Sequence, residues 1–339
     1  MRSHDTPDLS PKHDLAIVIV SANSARWLEP CLSTVFAHAG GASLDVVVVD
    51  NESTDGTRAL VESRFPQARV VGSENRGFGY GNNRGLETTH TRYVLFLNPD
   101  TEIVDGTFGE LVAMLDGRPE IGVVGVRQIA ADGTLWPTIR RYPSPARALG
   151  EALFSERWLV HPAWAGERVL DLGTYEHETE CDWTSGSFLL VRREALLSAG
   201  AFDERFFLYC EEPDLCLRIR EAGWQVRHLP QMTIVHHADK GGVQPRMVAQ
   251  DAYARGQYAH KHFGRARRGL FTAALVLRHL IRAATARAAA TEAAGDIQRE
   301  AARLALGTLL GRTGAPFSVP PATAIDPQGL ASAAKSSSQ

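Results

Sequence analysis

The sequence predicts an α/β fold built on a mostly parallel, doubly wound sheet. Runs of strand length at residues 15–20, 46–49 and 93–97 are apolar at every position, as expected where helices cover both faces of a parallel strand and alternation disappears. Between them apolar residues recur at helical spacing, so strand and helix alternate through the first half of the chain. Each run also ends abruptly in polar residues. Those residues fall beyond the carboxyl ends of the strands, where open α/β sheets bind ligands.

At 339 residues, 44% hydrophobic and 22% charged, the chain is long enough for one large domain or two ordinary ones. A formal net charge of -3 gives no global attraction to nucleic acid, and none is expected as a partner. Cys31, Cys181, Cys210 and Cys216 form no Cys-x-x-Cys pair, which suits reduced thiols in a cytoplasm. The polar start, broken by Pro7 and Pro11, does not read as a secretory signal, and residues 1–13 read as disordered. No run is expected to span a membrane.

The first strand, 15–20, opens into Ser21, Ala22, Asn23 and Ser24, without the Gly-x-Gly-x-x-Gly turn of a dinucleotide-binding fold. Leu28, Cys31, Leu32, Val35 and Phe36 share one helical face, with Pro30 disturbing the first turn. The second strand, 46–49, leads into Asp50, Asn51, Ser53, Thr54 and Asp55. Asp55 or Thr54 is expected to cap the next helix, whereas Asp50 precedes the turn and is poorly placed to cap.

A short strand at 69–71 precedes the glycine-rich stretch Asn75 to Leu86, which reads either as a close backbone approach to something flat or as a turn into a short helix. The third apolar run, 93–97, stops at Asn98-Pro99-Asp100, which alone would be a turn. A helix capped by Asp105, a strand at 121–126 and a hairpin turn at Asp132-Gly133 follow.

Between residues 137 and 180 periodicity fails. Trp136, Trp158 and Trp164 read there as core aromatics, with sugar-stacking platforms as the alternative. Order returns with a strand at 188–191 and a helix at 213–222, with Pro213 in its first position and Glu212 as N-cap. Acids at a helix N-terminus meet its exposed N–H groups, but Glu211 and Glu212 together exceed what capping needs. His236 and His237 follow a last strand.

In this order the segments resemble the family-2 glycosyltransferases, whose fold is the GT-A type, over roughly residues 14–264. Asp50 matches the family's base-binding aspartate, and Asn98-Pro99-Asp100 its Asp-x-Asp region. Glu211-Glu212 matches the Glu-Asp that carries the catalytic base, and His236 a histidine that can complete a metal shell. The stretches NRGFGYGNNRG, LNPDT, SGSFLLVRR and FDERFFLYCEE look most like bacterial dTDP-rhamnosyltransferases.

The resemblance implies a donor site of Ser21, Asn23, Asp50, Asn51, Asn75, Gly77, Asn98 and Asp100. It implies an acceptor site of Trp183, Ser185, Gly186 and Asp214, and Mn or Mg held by Asp100 and His236. Glu212, or Glu211 beside it, would take the acceptor hydroxyl's proton in a displacement that inverts the anomeric carbon. The chain departs from the family pattern at Asn98 and at Glu212, where aspartates are usual. The alternatives are a UDP-sugar donor, or an inactive sugar-nucleotide-binding scaffold.

Beyond residue 264 the chain becomes basic and then alanine-rich, reading as a helical extension to residue 312 and a disordered tail from 313. Between 261 and 287 seven Lys and Arg alternate with leucines and no acid. Such a helix either packs back on the domain or lies on an anionic membrane surface, where a lipid-linked or glycan acceptor would be met. The expected location is therefore cytoplasmic, at the inner face of the cell membrane, and a homodimer stays open.

Overall fold

The computed structural model describes residues 13–154, 162, 164–238, 244–288, 292–311 and 315–317. The expectations for residues 1–12, for Trp158 and for the tail past 317 lie outside the described residues. The chain begins with β1 (Leu15–Ser21), α1 (Ala25–Ala37), β2 (Leu44–Asn51), α2 (Thr57–Arg64), β3 (Ala68–Ser73) and α3 (Phe78–Glu87). Then come β4 (Tyr93–Leu97), β5 (Thr101–Asp105), α4 (Phe108–Asp116), β6 (Ile121–Ile129), α5 (Pro145–Leu153) and β7 (Thr179–Glu180). The remainder is β8 (Phe188–Arg192), α6 (Arg193–Ala199), α7 (Glu211–Glu221), β9 (Gln225–His236), α8 (Pro245–His262), α9 (Arg265–Ala288) and α10 (Glu292–Leu310).

The strands form one sheet in the order β3-β2-β1-β4-β8-β6-β9-β5, with β7 beside β9. β3, β2, β1 and β4 are parallel, as are β6 and β9. β8 inserts antiparallel between β4 and β6, and β5 and β7 pair antiparallel with β9. The chain steps outward from β1 to β3 and then returns to lay β4 on the other side of β1. That reversal opens a crevice at the carboxyl ends of β1 and β4.

The unbroken apolar runs have a plain cause. Leu15, Ile17 and Ile19 of β1 join a core with Leu28 and Leu32 of α1, while Ala16 and Val18 face Leu86 of α3 and Leu215 of α7. Both faces are covered, so both are apolar. α3 lies so close that a Cβ on Gly81 or Gly85 would come within 2.8 or 2.3 Å of Val20 or Val18. The glycines of α3 thus serve contact with the sheet itself, not the approach of a flat ligand.

Two expected caps move. Thr107, not Asp105, caps α4, in a capping box with Glu110. α7 begins at Glu211 with Cys210 as N-cap, two residues before the expected start, so Glu212 lies inside the helix and does not cap it. Tyr209 and Cys210 both have left-handed φ, +70° and +68°, and turn the chain into α7. Such residues cost about 1–3 kcal/mol each and persist where the surroundings over-determine them.

A third core joins Ala148 of α5, Phe206, Cys210, Tyr258 of α8, Phe271 and Leu275 of α9, and Ala301 of α10. α8 thus shares a core with α9 and α10, and that core is continuous with the entrance to α7. Residues Arg265–Ala286 are long and apolar enough to cross a membrane, with mean hydropathy 1.2, against the expectation that no run would be. Within the fold this helix is partly covered: Arg278 pairs with Glu151 of α5 at 2.9 Å. Basic residues of the region also turn inward, Lys261 to Asp203 and Asp214 and Arg268 to His260. Leu270, Leu277 and Leu280 are left exposed.

Other expectations change too. Trp136 is half-buried against His236 and Trp164 is exposed, so neither is a core aromatic. Phe317, in the tail expected to be disordered, stacks on Phe207 with ring centroids 4.3 Å apart.

Candidate active site

The crevice between β1 and β4 widens into a cavity of about 510 Å³. Its walls include Asn23 after β1, Asn51 at the end of β2, Asn75 and Gly77 before α3, and Asn98 and Asp100 after β4. Asn23 has φ +55°, and its Oδ1 accepts from the Thr54 N–H at 2.8 Å, tying the loop after β1 to the loop after β2. Asn51 is buried and its Oδ1 has no partner among the described residues, which leaves an acceptor at the wall. Gly77 has φ +107°, and a Cβ there would lie 2.0 Å from the Phe207 carbonyl oxygen, so only glycine lets this loop pass.

Two expected donor residues do not line this cavity. Ser21 is fully buried, and Asp50 accepts from the Ser53 N–H at 3.0 Å, with Arg58 4.0 Å away. Asp50 thus holds the turn after β2 and, as expected, does not cap α2, whose N-cap is Gly56. Asp55 accepts from both Ala25 and Thr57 N–H groups, fastening the starts of α1 and α2 together.

Asp100, on the wall of this cavity, meets His236, Oδ1 to Nε2 3.5 Å, because β5 and β9 pair beside them. Among the described residues no group of three or more His, Cys, Asp or Glu side chains could hold a metal alone. An oxygen and an imidazole donor side by side are nevertheless of the kind that would hold a divalent cation together with further ligands. His236 Nδ1 is buried without a partner among the described residues. His237 is engaged elsewhere, on Glu102 at 2.6 Å and stacked on Trp27 at 4.7 Å.

A second cavity of about 740 Å³ adjoins the first at Met247 and at this pair. Trp136, Trp183, Ser185, Glu212 and His236 line it. Of the two adjacent glutamates only Glu212 reaches the wall. Its Oε1 accepts from the Gly186 N–H at 3.1 Å. Burial pushes its carboxyl above the ordinary range, opposed by backbone N–H groups and by the Arg140 guanidinium. Glu211 is 2% exposed with Oε2 unpartnered among the described residues, and burial followed by the Glu212 charge drives its carboxyl well above the ordinary range.

Of the expected acceptor residues, Trp183 and Ser185 face this cavity. Gly186 and Asp214 do not: Gly186 positions Glu212, and Asp214 is fully buried among Lys261, His262 and Arg218. Sequence reasoning missed Trp27 and a cluster of arginines, Arg140 among them, on the walls of the two cavities. The unpatterned Arg140-Arg141 pair offered no periodic signal.

Residues 16–171 match the family model described as Glycosyl transferase family 2. N-acetylglucosaminyl-diphospho-decaprenol L-rhamnosyltransferase of Mycobacterium tuberculosis is 31% identical over 238 residues, covering 66% of this chain and 76% of that protein. This chain belongs to glycosyl transferase family 2. The glycosyltransferase is also 22% identical over 230 residues to rhamnosyltransferase WbbL of Escherichia coli, covering 66% and 83% of the two chains. Among solved structures it is similar to mannosyltransferase PcManGT from Pyrobaculum calidifontis in complex with GDP-Man and Mn2+. That likeness has a TM-score of 0.53 at 18% identity, covers 90% and 91% of the chains, and concerns the fold alone. The fold is thus the GT-A type expected from the sequence.

Proposed function

We propose that this glycosyltransferase moves L-rhamnose from dTDP-rhamnose to a hydroxyl of a sugar carried on a polyprenyl diphosphate, with inversion, in cell-wall or polysaccharide assembly. The observation that carries the reading is Glu212 on the wall of a cavity that meets the donor cavity across Asp100 and His236. The relatives' names support rhamnose and a diphospho-polyprenol acceptor.

In this reading the nucleotide lies along the asparagine-lined crevice, with its diphosphate toward Asp100 and His236. A divalent cation there would neutralise the charge that develops on the departing diphosphate. The acceptor sugar enters the second cavity beside Trp183 and Ser185. Glu212 takes the proton from its hydroxyl as that oxygen attacks the anomeric carbon. The Gly186 N–H holds the carboxylate in place through the step. The exposed leucines of α9 would rest on the cytoplasmic membrane surface that carries the acceptor.

The test is sugar transfer with a panel of nucleotide sugars, by the parent and by Asp100→Ala. The parent should prefer dTDP-rhamnose to UDP-sugars and require Mn or Mg. Asp100→Ala should lose cation-stimulated turnover, and near-normal rates at limiting cation would overturn the ligand assignment. Preference for a UDP-sugar would overturn the donor, and binding without transfer or donor hydrolysis would leave only a scaffold.

A further inference from the structure

The second cavity is lopsided in charge. Five arginines line it against three carboxylates, Glu167, Glu212 and Asp251. Two of the five are already neutralised. Arg255 bonds Glu167 at 2.6 Å and Asp251 at 3.1 Å, and Arg278 bonds Glu151 at 2.9 Å. Arg140 and Arg168 are not: among the described residues neither side chain has an ion pair.

These two are placed together by the backbone. Arg140 bridges antiparallel to Trp183 on one side and to Arg168 on the other, so the three stand in one row across three chain segments. Residues directly opposite in an antiparallel pair present their side chains to the same face, and like charges so placed are destabilising. The Arg140 guanidinium lies 5.6 Å over the Trp183 ring, and its Nε is buried without a hydrogen-bond partner among the described residues. Burial, with Arg168 beside it, pushes Arg140 down to about 10. A half-buried cation with a buried Nε, next to a second cation, is an arrangement that a multiply charged anion relieves.

The row also has a direction. It starts at Trp183, two residues from Ser185 at the Glu212 wall, passes through Arg140 and ends at exposed Arg168. Each step is one strand spacing, about 4.8 Å, comparable with the width of a pyranose. A sugar stacked near Trp183 with its hydroxyl at Glu212 would therefore carry its anomeric substituent toward the arginines.

We propose that Arg140 and Arg168 form the subsite for the diphosphate that links the acceptor sugar to its lipid. This rests on the reading of the chain as a transferase onto a lipid-diphosphate sugar. Guanidinium forks suit this group, since they bind phosphate oxygens in pairs. The donor diphosphate shares the chemistry, so the test must separate the two.

The first arm is calorimetry of farnesyl diphosphate with the full chain at saturating dTDP, which fills the donor site. Binding should persist in the parent and weaken about tenfold or more in Arg140→Gln and in Arg168→Gln, with dTDP affinity unchanged. Arg168 is exposed, so its variant keeps the test sound if Arg140→Gln fails to fold, and Arg140→Lys should weaken binding less than Arg140→Gln. Farnesyl diphosphate that binds only when dTDP is absent, or equally to Arg168→Gln, would overturn the proposal.

The second arm compares KM for a farnesyl-diphosphate-linked N-acetylglucosamine and for an alkyl N-acetylglucosaminide. The parent should favour the diphosphate, and the variants should lose most of that preference. Equal KM values in the parent would refute the subsite while leaving the transferase reading intact. Transfer to neither acceptor would refute that reading instead, and calorimetry would still decide the subsite.

Discussion

Glu212→Gln separates a catalytic base from a structural acid. The amide keeps the side chain's length and an oxygen that can accept the Gly186 N–H, now at 3.1 Å, so the local fold should hold. What is lost is the capacity to take a proton. General base catalysis contributes about a hundredfold to ten-thousandfold, or roughly 3–5 kcal/mol of barrier, and single-turnover transfer at saturating donor should fall by that factor. Glu211→Gln is the matched control. Its carboxyl is raised by burial, so its contribution to stability is fully present below the unfolded value near about 4.3 and is lost as pH rises through the folded value. At neutral pH the glutamine variant should therefore melt no lower than the parent and keep its turnover, with the difference in melting shrinking toward pH 4. Near-parental transfer by Glu212→Gln, or a larger loss in Glu211→Gln, would refute the assignment.

The pH profile of kcat/KM should carry an acid limb above the ordinary glutamate range, with activity falling as pH drops through the raised Glu212 value. A limb at an ordinary glutamate position would deny that burial governs this group. Gly186→Ala places a Cβ 2.6 Å from Glu212 Oε1, and a displacement of about 1 Å should cost about a hundredfold in turnover with donor KM nearly unchanged; a loss confined to donor KM would contradict it. Leu277→Glu on the exposed face of α9 should reduce flotation with anionic lipid vesicles without lowering the melting temperature, and equal flotation of parent and variant would remove the membrane role.

Much of the fold was legible because burial on both faces leaves a direct mark: β1, β4 and the middle of β2 from Val46 to Val49 are apolar at nearly every position. The ends of those strands were legible only in part: the crevice lies among the polar residues that follow such runs, but Ser21 and Asp50, the first of them after the runs of β1 and β2, do not face it. Asn51, Asn98 and Asp100 do line it. What failed was register within loops. Glu212 as N-cap rested on Pro213 starting α7, but Pro is tolerated throughout the first turn, where no N–H is needed, and the positive φ of Tyr209 and Cys210 moves the start back. Asp214 was grouped with the site through its neighbours, yet a helix turns each successive side chain about 100°, and this one points into Lys261 and His262. Arg140 was invisible because its partners, Trp183 and Arg168, are brought to it by non-local bridges in a stretch without periodicity.

Glutamate at 212, where the family motif has aspartate, has a physical account in the residue that faces it. One more methylene carries the carboxylate about 1 Å further from the helix, and a side chain opposite would meet it. Residue 186 has none: a Cβ there would stand 2.6 Å from Oε1 and 3.0 Å from Cγ of Glu212, and in its absence the backbone N–H reaches the carboxylate instead. The left-handed pair before α7 then makes Glu211 the first helical residue, so that it turns into the protein while Glu212 turns to the cavity. A residue retained only to cap would need neither feature, because the N-cap position belongs to Cys210 and makes no side-chain cap bond. The longer acid is thus accommodated at the cavity wall, where the proposed base has to stand.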